Sequence, residues 1–343
     1  MKMSRKSAAL WKHVLAGAKR RWGRSLSKEV KARLWMEMSV YRRVGACAYL
    51  SLLRNMCRAA RRAGVVVGAG RGAAVSSSVC YALGITGLDP IRHRLRFERF
   101  MCGQKNEFPD VDFELDRRGR EWVRDYLVSR FGADRVAHIM YRLPEPNSKV
   151  GLSVHPSAVA ISDIPLKRQF TVLTVDGARL GSRHKVLNLL HSDRKQVEVA
   201  GLLLIDLLPN EGLTRIRRVL ERIRRRGLPV PNMDKLPFDE DCRESCEYAE
   251  DAPIFQEQLD DIIVDLTGVS FGEAELIRRR LHRGHPCTAL ANVKERERLE
   301  TLATTDLPMK SHAVSRAYLG YQQAYLKAHY TSHWKSTIRS KGA

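Results

Sequence analysis

Three acidic residues lie in stretches that resemble β-strands, and together they could support phosphoryl transfer. Asp110 and Asp112 are two apart in residues 108–115, where acidic and apolar residues alternate, so a strand would place both on one face. Asp206 is the single charge in the apolar run 201–208, also predicted to be a strand. Close carboxylates repel unless a cation neutralises them, and Mg²⁺ prefers carboxylate and phosphate oxygens. If the strands are neighbours, the three acids predict a two-Mg²⁺ site; otherwise the pair lines a solvated edge and Asp206 caps a turn.

A glycine-rich turn is the second candidate for chemistry. Residues 65–67 predict a short buried strand, the turn contains Gly70, Arg71 and Gly72, and residues 73–84 predict a helix. Backbone amides at a helix N-terminus favour phosphate, and an arginine adds a fixed positive charge. The glycine spacing matches neither the dinucleotide fingerprint nor the Walker A motif, so a tight turn without a ligand remains the alternative.

The net charge indicates a polyanionic partner. The chain has 60 Lys and Arg against 38 Asp and Glu, a balance of +22. A field of that size attracts DNA or RNA. The predicted helix 213–226 has its apolar residues at ordinary core spacing, which disfavours the rival interpretation, a protein that binds a membrane surface. We expect DNA-phosphate contacts from Arg215, Arg217, Arg218 and Arg222.

The remaining composition favours a cytoplasmic location and no membrane contact. No apolar run reaches the roughly 20 residues of a membrane span, and the basic start of the chain lacks the apolar core of a secretory signal. Seven scattered cysteines predict free thiols rather than a disulfide framework.

The elements that must position these groups predict an α+β fold. Helices are expected at 28–43, 46–63, 118–131 and 213–226, and further strands at 157–162 and 169–175. Residues 1–26 are predicted to be a basic arm. Clustered prolines followed by an acidic run predict a linker at 227–251. The chain beyond it is predicted to be helical to about residue 330, with a basic tail at 333–343.

The order of these motifs resembles the bacterial DNA polymerase III alpha subunit. Pro109-Asp110-Val111-Asp112-Phe113 is similar to the acidic strand of that family's palm, as are residues 67–72, 81–86, 88–90 and 97–100 to its earlier segments. Residues 200–208 resemble the strand with the third catalytic aspartate. Residues 256–279 and 310–330 resemble parts of the fingers.

The resemblance implies a polymerase-beta-like nucleotidyltransferase palm over 27–226 and a partial helical fingers subdomain over 252–332. It implies that Asp110, Asp112 and Asp206 hold two Mg²⁺ ions and that Gly70, Arg71 and Gly72 lie against the incoming nucleotide's phosphates. Arg278, Arg279, Lys310 and His312 would reach the triphosphate from the fingers, or be solvated helix charges. His155 matches a palm histidine, for which a structural role is the alternative.

The chain also departs from the family pattern. The residues that resemble the family do not include its amino-terminal phosphatase-like domain, its carboxy-terminal regions or most of its thumb, which is expected near 140–150. Ala73 replaces a phosphate-contacting serine, Leu204 replaces a lysine and Glu114 replaces an aspartate. Loss of a hydroxyl and a cation weakens the electrostatic stabilisation on which phosphoryl transfer depends.

These observations predict a DNA-directed DNA polymerase that adds dNTPs to a primer 3′-hydroxyl on primer–template DNA. A separate replication protein would supply processivity. The alternative is a catalytically weak or inactive relative that binds DNA or assists replication.

Overall fold

The computed structural model describes residues 4–102, 108–143, 151–176, 186–236, 253–285, 287, 290 and 296–339. The helices are α1 (Arg5–Trp22), α2 (Lys28–Arg43), α3 (Cys47–Arg62), α4 (Ser78–Leu83), α5 (Arg117–Phe131), α6 (Arg194–Val199), α7 (Glu211–Arg225), α8 (Gln256–Thr267), α9 (Phe271–His282), α10 (Arg296–Thr304), α11 (Lys310–His329) and α12 (Thr331–Arg339). The strands are β1 (Asp112–Leu115), β2 (Val136–Leu143), β3 (Gly151–Ile161), β4 (Val172–Asp176), β5 (Val186–Leu190) and β6 (Leu203–Pro209).

The chain divides into two compact units that interleave along the sequence. One contains Met1–Asn55, Ala69–Pro109 and Pro231–Tyr325, and the other contains Met56–Gly68, Asp110–Val230 and Leu326–Ala343. The predicted palm, 27–226, contributes segments to both units. The predicted domain bounds stay predictions. Most of the predicted linker, most of the thumb position near 140–150 and the outermost residues of the arm and tail lie outside the described residues.

The first unit is helical, and side-chain caps mark where its helices begin. Ser4 and Ser27 accept hydrogen bonds from the first turns of α1 and α2. α1 packs on α4, and a Cβ at Gly17 would lie 1.8 Å from the backbone oxygen of Ala82, so only glycine permits this approach. A separate core joins α8, α9 and α10 through Leu259, Ile263, Ala274, Ile277, Leu281, Leu299 and Ala303.

The second unit is built on a mixed sheet with strand order β1-β6-β3-β2-β5-β4. β1 runs parallel to β6, and β6 runs antiparallel to β3. α5 packs against β1, β2 and β6, and α7 packs against β1 and α5. An apolar cluster that includes Ile139, Ala158, Ala160, Leu190 and Val197 joins the central strands to α6. The predicted α+β class is confirmed.

Several predicted elements differ from the observed ones. The expected strand 65–67 is reduced to a single bridge between Val67 and Leu115, and β1 begins four residues later than expected. The expected helix 73–84 is split into a 3₁₀ turn, Gly72–Ser76, and α4, because Ser77 adopts extended backbone angles and caps α4. β2, β5 and α6 were not predicted. Among the described residues, no helix has the length and apolar character to cross a membrane.

Candidate active site

The pairing of β1 with β6 brings the three predicted acids together. The two strands are parallel neighbours with Asp112 opposite Asp206, which meets the condition on which convergence of the three acids depended. One carboxylate oxygen from each of Asp110, Asp112 and Asp206 lies within 4.8 Å of the others. We refer to these three residues as the carboxylate site. Their role as metal ligands stays a prediction.

Burial of the opposite faces of β1 and β6 orients the acids. Phe113 and Leu115 are buried on one side of β1, and Ile205 and Leu207 are buried in β6. Since side chains alternate along a strand, Asp112 and Asp206 are directed to the other face, and Asp110 lies two residues before β1. Asp206 nevertheless is only 6% exposed, whereas the Asp110 side chain is 64% exposed.

Both oxygens of the buried Asp206 have partners. The Ser157 hydroxyl donates to Oδ1 at 2.9 Å, and Arg194 Nη1 donates to Oδ2 at 2.6 Å. The backbone amides of Ser157 and Ala158 donate to Nδ1 of His155 at 3.3 and 3.0 Å. Burial, assisted by Arg194, lowers the pKa of His155 although Asp206 opposes it, which favours the neutral ring that this acceptor role requires. His155 therefore positions the segment that holds Ser157.

Arg194 joins the carboxylate site, and the sequence interpretation missed it. Its Nη2 atom lies 3.2 Å from Oδ2 of Asp110, and its Nε atom lies 2.8 Å from Oε1 of Glu198. Burial would lower the pKa of Arg194, but the bonds to Asp206 and Glu198 and the charge of Asp110 raise it above its ordinary value. Although the Asp110 side chain is largely exposed, the protein around it removes part of its hydration, which raises its pKa; Arg194 opposes that effect and Asp206 adds to it. The site thus contains three acids and one permanent cation.

The sequence does contain a signal for the position of Arg194. Asp193 and Gln196 form a capping box in which each side chain bonds the other residue's backbone amide. An Asp followed three residues later by Gln is a known helix start, and it would have placed residue 194 in a first turn. It would not have shown which carboxylates the arginine contacts.

The glycine-rich turn has positive φ angles, which glycine adopts without strain. Gly70 and Gly72 have φ angles of +108° and +62°, and the carbonyl of Gly70 accepts a hydrogen bond from Ser315 of α11. A Cβ at Gly70 would lie 2.9 Å from Cγ2 of Thr86. The helical element after the turn is a 3₁₀ turn of five residues, so the expected helix N-terminus gives little support to phosphate binding.

Positive charge near this turn is better supported than a helix dipole. Arg316 Nε donates to Nε2 of His312 at 2.5 Å. Burial lowers the pKa of His312, and the charges of Arg316 and Arg71 lower it further. Arg71 and Arg316 therefore supply positive charge within the first unit, beside a His312 ring that burial and these two charges keep neutral. The backbone amide of Lys310 donates to Glu257 at 2.9 Å, which fixes the start of α11.

Arg278, one of the residues predicted to contact nucleotide, lies in a buried ion-pair network. Its guanidinium bonds Asp260 at 2.8 Å and Glu275 at 2.7 Å, and its side chain is 7% exposed. It is neither an exposed clamp nor a solvated helix charge, because it is buried, its bond to Asp260 joins α9 to α8 and its bond to Glu275 lies within α9. Arg279 is 43% exposed and pairs with Glu275 through Nε at 2.5 Å, which leaves part of its guanidinium at the surface.

The arginines predicted to contact DNA separate into two kinds. Arg217 is buried and bonds Asp116 at 3.0 Å and Glu221 at 2.5 Å, so its position indicates a structural role. Arg218 and Arg222 line a surface cavity of about 290 Å³ together with Glu221 and Arg225. Arg215 lies over the ring of Trp334, 5.3 Å from its centroid.

The mixed sheet, in which the parallel neighbours β1 and β6 bring three carboxylates together, offers a candidate site for a divalent cation. Comparison with known proteins shows which family the chain is similar to. Residues 8–142 match the family model described as the bacterial DNA polymerase III alpha NTPase domain. The match includes the glycine-rich turn, Asp110 and Asp112, and it ends before Asp206.

Individual relatives agree with the family model. The chain is 40% identical over 124 residues to DNA polymerase III subunit alpha of Halalkalibacterium halodurans, which covers 36% of this chain and 11% of the relative. It is 41% identical over 107 residues to the same subunit of Yersinia pestis, covering 31% and 9%. It is 39% identical over 136 residues to the error-prone DNA polymerase of Symbiobacterium thermophilum, covering 40% and 12%. The matched segments thus span about a tenth of these relatives, and they support a relationship to DNA polymerases of this family.

Proposed function

We propose that this chain is a DNA polymerase-type nucleotidyltransferase that adds dNTPs to a primer 3′-hydroxyl with two Mg²⁺ ions. The observation that carries the proposal is the register of β1 and β6, which gathers three carboxylates within 4.8 Å. The polymerase-beta-like palm is part of the same proposal.

The donor set fits a hard divalent cation. Mg²⁺ takes oxygen ligands, commonly one or two carboxylates together with substrate phosphates. A buried carboxylate such as Asp206 is costly without a cation beside it. When bound, the ions would lower the pKa of the attacking hydroxyl and neutralise the leaving pyrophosphate. Ser157 fixes one oxygen of Asp206, while the Asp110 side chain is exposed and is bonded to Arg194 at 3.2 Å.

The nucleotide and DNA contacts are also proposals. Gly70, Arg71, Gly72 and His312 would contact the triphosphate, with further charge from Arg279 and Lys310. Arg215, Arg218 and Arg222 would contact DNA phosphates. The net charge of +22 supports a polyanionic partner. A cytoplasmic location and a separate processivity protein complete the proposal.

Primer extension with dNTPs and Mg²⁺ tests the proposal. We expect product with the wild type and at least about a 100-fold lower rate with Asp110→Asn/Asp112→Asn, a loss typical of removing one electrostatic contact at a transition state. Asp163→Asn, which changes an exposed acid of the same unit, should retain the wild-type rate. Equal extension by the wild type and the double variant would refute the catalytic assignment.

A second candidate function is that of a weak or inactive polymerase relative that binds DNA or assists replication. It is favoured by Leu204, whose side chain packs against the apolar cluster of the sheet instead of providing a cation. DNA binding without any Mg²⁺-dependent binding of nucleotide would select this candidate over the first.

A further inference from the structure

The carboxylate site already holds a cation from its own chain. Three carboxylates within 4.8 Å repel one another, and the buried Asp206 has the largest need for a counter-charge. The guanidinium of Arg194 spans Asp206 and Asp110 at 2.6 and 3.2 Å. Arg194 therefore does in the ion-free protein what a divalent ion would do in the loaded one.

Three local features hold Arg194 in this position. The capping box of Asp193 and Gln196 fixes the first turn of α6, in which Arg194 lies. Glu198, one helical turn later, binds Nε at 2.8 Å and so leaves both terminal nitrogens directed at the site. Val197 of the same helix is fully buried in the apolar cluster of the sheet, which anchors α6. The contact is thus built into the fold and differs from a surface pair between two flexible side chains.

The geometry at Asp206 makes Arg194 a competitor of the ion. Oδ1 accepts from Ser157 and Oδ2 accepts from Arg194, so both oxygens are in use. A divalent ion ligates a carboxylate oxygen at about 2.1 Å. An ion at Oδ2 would lie close to the guanidinium, and two cations about 4 Å apart repel each other at the effective dielectric of a protein surface. Arg194 must therefore move away from Oδ2 when an ion binds there.

We propose that Arg194 is an exchangeable counter-ion of the carboxylate site, which holds Asp206 and Asp110 together without a divalent ion and is displaced from Asp206 when one binds. This inference rests on the proposed function, because it takes the carboxylate site to be a metal site. It makes Arg194 a positioning residue that acts through Asp206. It also means that the ion concentration needed to load the site is set partly by this arginine.

Titration with Mn²⁺ alone, followed by calorimetry without nucleotide or DNA, tests the proposal. We expect Arg194→Gln to bind Mn²⁺ at least about tenfold more tightly than the wild type, because the competing charge is gone. Lys195→Gln is the matched control: the lysine is the exposed neighbour of Arg194, and its loss should change the affinity less than about twofold. Arg194→Lys, which keeps the charge but not the two-nitrogen bridge, should lie between.

Thermal unfolding provides a second readout that does not depend on activity. Ion-free Arg194→Gln should melt a few degrees below the wild type, since the carboxylates have lost their counter-ion, and saturating Mn²⁺ should restore it. Unchanged or weaker Mn²⁺ binding by Arg194→Gln overturns the proposal, and so does equal tightening in Lys195→Gln. If the wild type binds Mn²⁺ and Asp110→Asn/Asp112→Asn abolishes that binding, the metal site is supported whatever Arg194→Gln shows. Absence of saturable binding in every variant overturns both proposals.

Discussion

Glu37 of α2 provides a sharp test of how the first unit holds the segment after its glycine-rich turn. Its carboxylate is fully buried and accepts four hydrogen bonds, from Arg33 Nε at 2.8 Å, Ser77 Oγ at 2.7 Å and the backbone amides of Ser78 and Val79 at 2.9 Å each. A side chain from α2 thus caps the first turn of α4. Burial raises the pKa of Glu37, against Arg33 and these hydrogen bonds, which lower it.

The expected cost of Glu37→Gln follows from these four bonds. The amide has one acceptor oxygen, so its NH₂ group must face a donor, either the Val79 amide or the pair of Ser78 and Arg33. One buried donor left without an acceptor costs about 1–3 kcal/mol. Loss of the charge that assists the Arg33 bond adds about 1 kcal/mol. We therefore expect the free energy of unfolding of this unit to fall by about 2–4 kcal/mol.

Hydrogen exchange at individual amides is the appropriate assay, because a chain of two units need not unfold in one step. In Glu37→Gln, the amides of Ser78 and Val79 should exchange at least about 30-fold faster, the factor that corresponds to about 2 kcal/mol. Glu29→Gln, an exposed glutamate of the same helix, should leave those rates unchanged. Wild-type protection of both amides in Glu37→Gln would refute the reasoning.

Two further predictions concern buried charges. Burial and the neighbouring Glu275 raise the pKa of Asp260 to about 7, against Arg278 and Arg99. A carboxyl that holds its proton more tightly when folded makes the free energy of unfolding fall as pH rises from about 4 to about 7. Urea titrations at pH 5 and 7.5 should therefore show a smaller fall in Asp260→Asn than in the wild type, and equal falls would contradict the shift. Arg217→Gln should lower the free energy of unfolding by about 2–4 kcal/mol, since it strands a buried partner, and leave the salt dependence of DNA binding unchanged. Arg218→Gln should leave the free energy of unfolding unchanged and reduce the slope of the logarithm of the DNA-binding constant against the logarithm of the salt concentration by about 1. The opposite pattern would contradict a structural role for Arg217 and a DNA contact by Arg218.

The acidic strands show what could be predicted from local sequence patterns. The alternation through Asp110 and Asp112 predicted the face that these acids share. The isolated charge of Asp206 made adjacency of the two strands a condition for a metal site, and the parallel register of β1 and β6 meets that condition. Period-2 alternation is a local property, and a lone charge in an apolar strand is costly enough to require a partner.

The ion pairs could not be predicted from local sequence patterns. Arg194 reaches Asp110 across 84 residues of sequence, and no local pattern connects them. Arginine is a residue type that usually lies at the surface, yet the packing of α8 on α9 buries Arg278 between two acids. In each case the partner of the charge depends on which helices and strands become neighbours.

Composition and the periodicity of short segments were enough to predict the α+β class and the basic character of the chain and to single out three acids as candidates. The cation that lies at those acids and the burial of particular arginines became visible only in the folded chain. Both depend on distances between segments far apart in the chain, where a guanidinium either meets a carboxylate within hydrogen-bond reach or remains in water.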